Sequence, residues 1–224
     1  MSDFTNNNGV ETKARVTANR DIVGLASLFK WAAEGKIFEA GAGLEDTAIA
    51  AYASINDQYP TFALQAPSST TLLVIPILLK VALTDDGSAL SELSVAFTKP
   101  AGLCATTLTI SGTAFTSKHV QYRKNPALTA QQATATYTNT LSALVAADFV
   151  EYDRSIAINA ALTTGLVNFG GGPSNVKTYR FLQEGAPHIM ASGAAMLVYV
   201  KNSTTDALAK CYMQWAELSV DDLV

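Results

Sequence analysis

The 224-residue chain is rich in apolar residues and poor in charge. Hydrophobic residues make up 49% of it, whereas charged residues make up only 15%, well below the roughly 25% of an ordinary soluble domain. The net charge of −4 disfavours avid binding to nucleic acid, because such binding uses lysine and arginine to displace counterions from phosphates. The length fits one large β domain, since sandwiches and barrels often run to about 200–250 residues as a single unit.

The first twenty residues are polar and predict a flexible arm, ordered where a partner holds it. The start, MSDFTNNNG, lacks the apolar region of a secretory signal peptide, so secretion is not expected. Lys13, Arg15 and Arg20 make the arm mildly basic, but arms that bind a packaged genome carry far denser positive charge. We therefore expect this arm, including Phe4, to contact neighbouring subunits.

One short helix is predicted over residues 22–34, capped by Asn19 or Asp21. Its apolar stripe comprises Ile22, Leu25, Ala26, Phe29 and either Ala32 or Ala33. Gly35 follows where a C-terminal cap glycine is typical. Trp31 lies off the stripe, and the sequence leaves two roles open for it: packing on a sheet or contacting another subunit.

Residues 60–83 (PTFALQAPSSTTLLVIPILLKVAL) predict two core strands joined by a polar turn. In the first strand Phe62 and Leu64 face one side and Thr61 and Gln65 the other, and the second strand is almost continuously apolar. Pro76 disfavours a helix here, and within a sheet it predicts an edge or a bulge. The run is too short and too interrupted to span a bilayer, which needs about 20 apolar residues.

The remaining chain alternates between short β-prone runs and turn residues. Asp85 to Ser88 resemble a hairpin turn, and residues 127–147 resemble a long connection. Further strands are predicted over residues 36–40, 48–55, 92–98, 103–115, 120–123, 143–152, 156–162 and 176–182. This layout of one helix followed by about eight strands predicts an all-β sandwich or barrel.

The last two strands give the clearest pattern. Residues 194–201 and 209–218 flank a polar loop and read as a hairpin. In the second strand one face is apolar and the other polar, as in an antiparallel strand that turns one face to the core. The inward set is Ala209, Cys211, Met213 and Trp215, and the outward set is Lys210, Tyr212 and Gln214.

Candidate catalytic and metal-binding groups are sparse. His119 reads as a polar loop residue, and His188 as a structural histidine. No G-x-S-x-G nucleophile motif or His-x-His metal motif occurs, and Gly170 to Gly172 lack the lysine of a phosphate-binding loop. We therefore expect no catalytic residue, no cofactor and no metal ligand.

Two acidic groups and two cysteines are further candidate sites. Asp85, Asp86 and Glu92 lack the alternation of a calcium-binding loop, so a plain turn is favoured. Asp148, Glu151 and Asp153 favour pairing with Arg154 or a neighbouring subunit over acid–base catalysis, with Glu151 and Asp153 on the same strand face. Cys104 and Cys211 favour two buried free thiols, with a disulfide as the alternative.

With its polar arm, short helix and β-rich remainder, the chain resembles viral single jelly-roll capsid proteins over roughly residues 36–218. The run PTFALQAPSSTTLLVIPILLKVAL is similar to an early strand pair of that fold, and ALAKCYMQWAEL to its last strand. The resemblance implies a single jelly-roll sandwich that assembles with copies of itself into an icosahedral shell, located in the virion. The proposed assembly residues are Phe4, Lys13, Arg15, Arg20 and Trp31.

The chain differs from many small capsid proteins because its arm is not rich in arginine and lysine. This would suit a shell over an internal membrane, or one whose genome other virion proteins bind. A carbohydrate-binding or adhesive sandwich, of the fibre or lectin-like kind, remains the main alternative, with Trp31, Tyr52 or Tyr212 as aromatic platform. An enzyme on a β-sandwich, with a small-molecule substrate, is disfavoured.

Overall fold

The structure is a computed structural model of the chain. It describes residues 4–5, 11–12, 28–42, 49–51, 58–85, 91–105, 108–115, 117–119, 131–142, 148–157, 176–183, 187–202 and 208–220.

Most described residues belong to two antiparallel sheets. Sheet I contains, in spatial order, β12 (Val176–Tyr179), β6 (Leu72–Asp85), β14 (Leu208–Ser219), β3 (Ile37–Ala42) and β9 (Ser117–His119), and β4 (Ile49–Ala50) also pairs with β14. Sheet II contains β11 (Phe149–Ala157), β7 (Ser91–Thr98), β13 (Ala195–Asn202), β5 (Phe62–Gln65), β10 (Thr134–Leu141) and β8 (Ile110–Ala114). The predicted all-β sandwich is confirmed.

The main core lies between the two sheets. Sheet I contributes the inward faces of β14 and β6, including Trp215, Met213 and Leu79, and Trp215 stacks on Phe38 with ring centroids 6.0 Å apart. Sheet II contributes Phe62 and other apolar residues of β5, β7 and β13. The predicted alternation in β14 is confirmed, because Ala209, Cys211, Met213 and Trp215 are buried while Lys210, Tyr212 and Gln214 are half-buried.

The helix covers part of the outer face of sheet I. Residues 28–33 are helical, and Leu28, Trp31 and Ala32 pack against Ile37, Ile75, Ala216 and Leu218. Gly35 ends the helix with φ of 71°, and the amides of Gly35 and Lys36 donate to the carbonyls of Ala32 and Trp31. These two bonds form a Schellman cap, so the predicted role of Gly35 as a C-terminal cap glycine is confirmed. The predicted first turns, residues 22–27, lie outside the described residues.

A second apolar cluster covers the outer face of sheet II. Leu108, Leu141, Leu197 and Tyr199 pack there, with Cys104 against them, while residues 101–103 form one 3-10 turn. The predicted strand over 103–115 is therefore wrong in its first half, and only its second half contains β8. Both sheets thus carry covering layers outside the central core.

Pro76 lies at a β-bulge. Gln214 pairs with Leu78 and the next residue, Trp215, pairs with Pro76, so Ile77 is the extra residue of β6. Because proline has no N–H to donate, the bulge lets a central strand contain it without a broken ladder bond. The predicted bulge is confirmed, whereas β6 lies inside sheet I and not at its edge.

Three predicted strand pairs are wrong. β5 and β6 lie in opposite sheets, as do β6 and β7 and also β13 and β14, so none of these neighbours forms a hairpin. The alternation of apolar residues reports that a strand has a buried face, and both inner faces of a sandwich supply that burial equally. The pattern therefore predicts pairing between strands that are adjacent in sequence, whereas the chain crosses from one sheet to the other at these connections. Residues 86–90 and 203–207, which contain most of two predicted turns, lie outside the described residues.

The region after residue 130 also differs from its prediction. β10 is a paired strand where a long connection was predicted, so the threonine-rich segment follows its β propensity. β11 continues without a break from the end of the strand predicted over 143–152 into the start of the one predicted over 156–162, and residues 143–147 and 158–162 lie outside the described residues. The predicted strand over 120–123 and the glycine loop at 170–172 lie outside the described residues.

Candidate functional site

The structure describes two of the five predicted assembly residues. Phe4 lies in β1 (Phe4–Thr5), which pairs with β2 (Glu11–Thr12), so part of the predicted arm forms a short two-stranded ladder. Trp31 is half-buried against the outer face of sheet I, which is the packing role that the sequence left open. Lys13, Arg15 and Arg20 lie outside the described residues.

The solvent side of the helix carries an exposed aromatic residue. Phe29 is 73% exposed, although the sequence placed it on the buried stripe. That prediction is wrong, because the face defined by Leu28, Trp31 and Ala32 packs on the sheet and turns Phe29 outward. Lys30, beside it, has a 69% exposed side chain whose Nζ lies 3.8 Å from Glu34.

A cleft of about 420 Å³ opens where β7 ends and β11 begins. We call it the aromatic cleft. Its lining residues are Phe97, Thr98, Lys99, Phe149, Val150, Glu151, Tyr152 and His188. Val150 is 73% exposed. A concave apolar site bordered by exposed apolar and charged side chains is typical of a binding site.

A β-bulge in β11 shapes one wall of the cleft. Glu151 pairs with Ala96 and Asp153 pairs with the next residue, Val95, so Tyr152 is the extra residue. Tyr152 packs edge-on against Phe97, with ring centroids 5.8 Å apart. Strict alternation along this strand predicts no bulge, so the sequence did not indicate the cleft.

His188 lies at the centre of the aromatic contacts. Its ring stacks on Phe97 with centroids 4.1 Å apart and planes 3° from parallel. Tyr152 and Phe181 meet it edge-on at 5.0 Å and 6.1 Å. Burial lowers the pKa of His188, because the imidazolium would lose hydration among these rings. This environment agrees with the predicted structural histidine.

The three acidic residues of this region have separate structural partners. The buried Asp148 carboxylate accepts hydrogen bonds from the Ala105 amide at 3.1 and 3.2 Å. Glu151 accepts one from the Ser94 hydroxyl at 2.6 Å. Asp153 accepts one from Tyr179 at 2.8 Å and lies 3.5 Å from Lys177. Because of the bulge, the expected common face of Glu151 and Asp153 is not formed.

No group of three or more potential metal ligands occurs among the residues that the structure describes. Glu92, one of the three acidic residues weighed for calcium, lies 3.4 Å from Lys201 and receives its hydrogen bond. His119 falls in β9 and not in the predicted loop.

The two cysteines are free thiols in different environments. Cys211 is buried in the main core, and burial raises its pKa well above the ordinary value. Cys104 is half-buried, so the predicted burial is wrong for this thiol. Its pKa is raised first by burial and then by the charge of Asp148. Both shifts favour the unreactive thiol form.

The solvent side of sheet I carries a small polar group around Tyr212. The Tyr212 hydroxyl donates to Glu39 at 2.6 Å and accepts from the Gln214 amide at 2.6 Å. Lys80 and Lys210 line a shallow groove next to it, with a volume of about 410 Å³. Of the predicted sugar-binding aromatics, Tyr212 is half-buried here, and Tyr52 lies outside the described residues.

Comparison with known proteins found no matching family model, no similar curated protein and no similar solved structure. Within the described residues, no helix has the length and apolar character needed to cross a membrane.

Proposed function

We propose that this chain is a single jelly-roll capsid subunit, a structural and non-catalytic protein that assembles with copies of itself into an icosahedral shell. One observation carries the proposal, namely the nested pairing of eight strands. The first pairs with the last and each following strand pairs one step inward: β3 with β14, β5 with β13, β6 with β12, and β7 with β11. A long antiparallel ribbon rolled into two sheets has this pairing, and that is how a jelly roll is built.

The order of the strands within the sheets supports the same interpretation. The first, eighth, third and sixth of these strands are neighbours in sheet I, and the second, seventh, fourth and fifth are neighbours in sheet II. The chain therefore changes sheet at nearly every connection. β8, β9 and β10 lie between β7 and β11 in the chain and extend the sheets beyond this eight-strand set.

The surface also suits repeated association. Only 15% of the residues are charged, and charged residues are depleted in the cores of protein–protein interfaces. Several large apolar side chains are more than half exposed: Phe29, Leu103, Val150 and Ile189. Many modest symmetric contacts of this kind assemble a shell without requiring one large interface.

The charge of the chain indicates what other partners the particle contains. A chain of net charge −4 with a sparsely basic arm is not expected to hold a genome tightly by itself. The proposal therefore places the chain in the virion, in a shell that either surrounds an internal membrane or leaves genome binding to other virion proteins. The arm and the helix would tie neighbouring subunits together.

Size-exclusion chromatography with light scattering, followed by negative-stain imaging, tests the proposal. Closed shells or regular ring-shaped capsomers at high protein concentration are the expected result. A protein that stays monomeric at every accessible concentration overturns it.

The second candidate is a carbohydrate-binding or adhesive module. The observation that favours it is the Tyr212 hydroxyl, held by Glu39 and Gln214 on an open sheet face, because sugars are commonly bound by aromatic rings next to polar groups. Glycan-array binding that is lost in Tyr212→Ala, by a protein that forms only small discrete oligomers, would favour this candidate over the capsid.

A further inference from the structure

We propose that the aromatic cleft binds Phe29 of a second copy of this chain. The inference rests on the proposed assembly function and names one contact through which the copies associate. An exposed aromatic side chain on one surface of the molecule is matched by a concave apolar site on another.

Phe29 has the properties of an anchor residue. It is 73% exposed, so the described residues of its own chain do not bury it. Its helix is fixed to sheet I by Leu28, Trp31 and Ala32 and ended by the cap at Gly35. A large aromatic side chain presented by a rigid element loses little conformational entropy on binding, which is why such residues dominate interface energetics.

The aromatic cleft has the properties of the matching receptor. At about 420 Å³ it has room for an aromatic side chain together with part of the helical turn that presents it. Its walls include Phe97, Tyr152 and His188, which brace one another through ring contacts. The largely exposed Val150 adds apolar surface that a partner would cover.

Each of the two surfaces carries charges of both signs. Lys30 follows Phe29 in the helix, and its only described ion pair, with Glu34, is long at 3.8 Å. Glu151 and Lys99 are both exposed and line the cleft, and Glu151 also accepts the hydrogen bond from Ser94. With Phe29 inserted, Lys30 of one copy would approach Glu151 of the other, and opposite charges around an apolar contact fix its orientation. This pairing, together with the exposed Phe29 that the same chain supplies, favours a second copy over an unrelated apolar partner.

The proposed contact joins Phe29 of one copy to the cleft of another. Each copy offers one Phe29 and one cleft, so the contacts form either a reciprocal two-fold pair or a chain of copies that closes into a ring. A symmetric two-fold contact through Phe29 alone would not use the cleft. This difference makes the proposal testable by mixing variants.

Phe29→Ala removes the anchor and Val150→Asp places a charge in the cleft lining. Each variant alone is expected to raise the concentration at which half of the protein is assembled by about tenfold or more, as truncation of a central anchor does. In a mixture, the intact cleft of Phe29→Ala binds the intact Phe29 of Val150→Asp. We expect a 1:1 complex by light scattering at concentrations where each variant alone is monomeric. Absence of that complex overturns the proposal.

Leu103→Asp is the matched control, because Leu103 is 70% exposed and does not line the cleft. It is expected to assemble as the wild type does, and a loss equal to that of Val150→Asp would show that added charge alone is responsible. Circular dichroism spectra and melting temperatures like those of the wild type establish that each variant is folded.

A charge exchange provides a second test that leaves the apolar surfaces intact. Lys30→Glu and Glu151→Lys are each expected to weaken assembly, and the double variant is expected to restore it. Double and single variants that are equally weak would contradict the pairing. If the wild type assembles while all these variants assemble equally well, this inference fails and the proposed function stands; if the wild type never assembles, the proposed function itself fails.

Discussion

At the scale of single residues, the most consequential buried charge is one that the sequence did not single out. Glu217 follows the alternating set of β14 and is only 6% exposed. Its carboxylate accepts hydrogen bonds from the amides of Gln132 and Ala133 at 2.8 and 3.0 Å and from the Trp215 indole at 2.9 Å. It therefore fixes the start of the segment that leads into β10 to the central strand of sheet I.

Replacing Glu217 by glutamine should destabilise the fold. The amide keeps one acceptor oxygen but turns an NH₂ group towards N–H donors, so at least one buried bond is lost. We expect a loss of about 2 kcal/mol in the free energy of unfolding, measured by urea denaturation. Glu39→Gln, on the solvent side of the same sheet, should cost less than about 1 kcal/mol. Equal losses in the two variants would contradict the structural role of Glu217.

His188 makes the stability depend on pH. Burial lowers its pKa in the folded state, so the unfolded chain binds the proton more tightly. The contribution is fully present above the unfolded pKa of about 6.5, and it is lost as the pH falls from that value through the lower pKa of the folded state. In His119→Gln, which keeps His188 as the only histidine, the ring-proton resonance should titrate with a midpoint below about 6.5. A midpoint at or above the unfolded value would contradict the packing described for the aromatic cleft.

At the scale of secondary structure, the Gly35 cap connects the helix to β3. Its φ of 71° lies in the left-handed region, where a Cβ clashes with the backbone. Gly35→Ala should therefore lower the free energy of unfolding by about 1 kcal/mol, measured by chemical denaturation. Gly102→Ala is the matched control, since a Cβ there meets nothing within 4 Å and the change should be nearly neutral. A loss in Gly102→Ala as large as in Gly35→Ala would contradict this reason.

The sequence predicted those elements whose signals are local. The β14 alternation, the Gly35 cap and the Pro76 bulge follow from side-chain period, backbone freedom and a missing N–H, and all three are confirmed. Strand pairing was wrong for β5 with β6 and for β13 with β14, because it depends on which sheet each strand joins. The aromatic cleft was missed for the same reason, since it depends on a bulge in β11 and on a ring contact across 91 residues.

At the scale of the whole molecule, the described strands of the arm lie outside the two sheets of the sandwich. The core lies between the two sheets, and the helix and the segment after β7 cover their outer faces. Within the described residues, β1 pairs only with β2 and with neither sheet. The arm therefore adds no described strand to either sheet of the sandwich. This is expected of a segment that contacts neighbouring subunits.

Deleting residues 2–18 should consequently leave a folded sandwich and impair particle formation. The melting temperature and the circular dichroism spectrum are expected to stay close to those of the full chain, because no paired strand of either sheet is removed. Fewer and less regular particles are expected in negative-stain images at matched protein concentration.

An intact arm carrying alanine at Lys13, Arg15 and Arg20 separates the effect of the charges from that of the rest of the arm. If this variant assembles normally while the deletion variant does not, the backbone or Phe4 makes the contact. Unchanged particle formation by the deletion variant would refute a role for the arm and leave contacts between folded domains as the source of assembly.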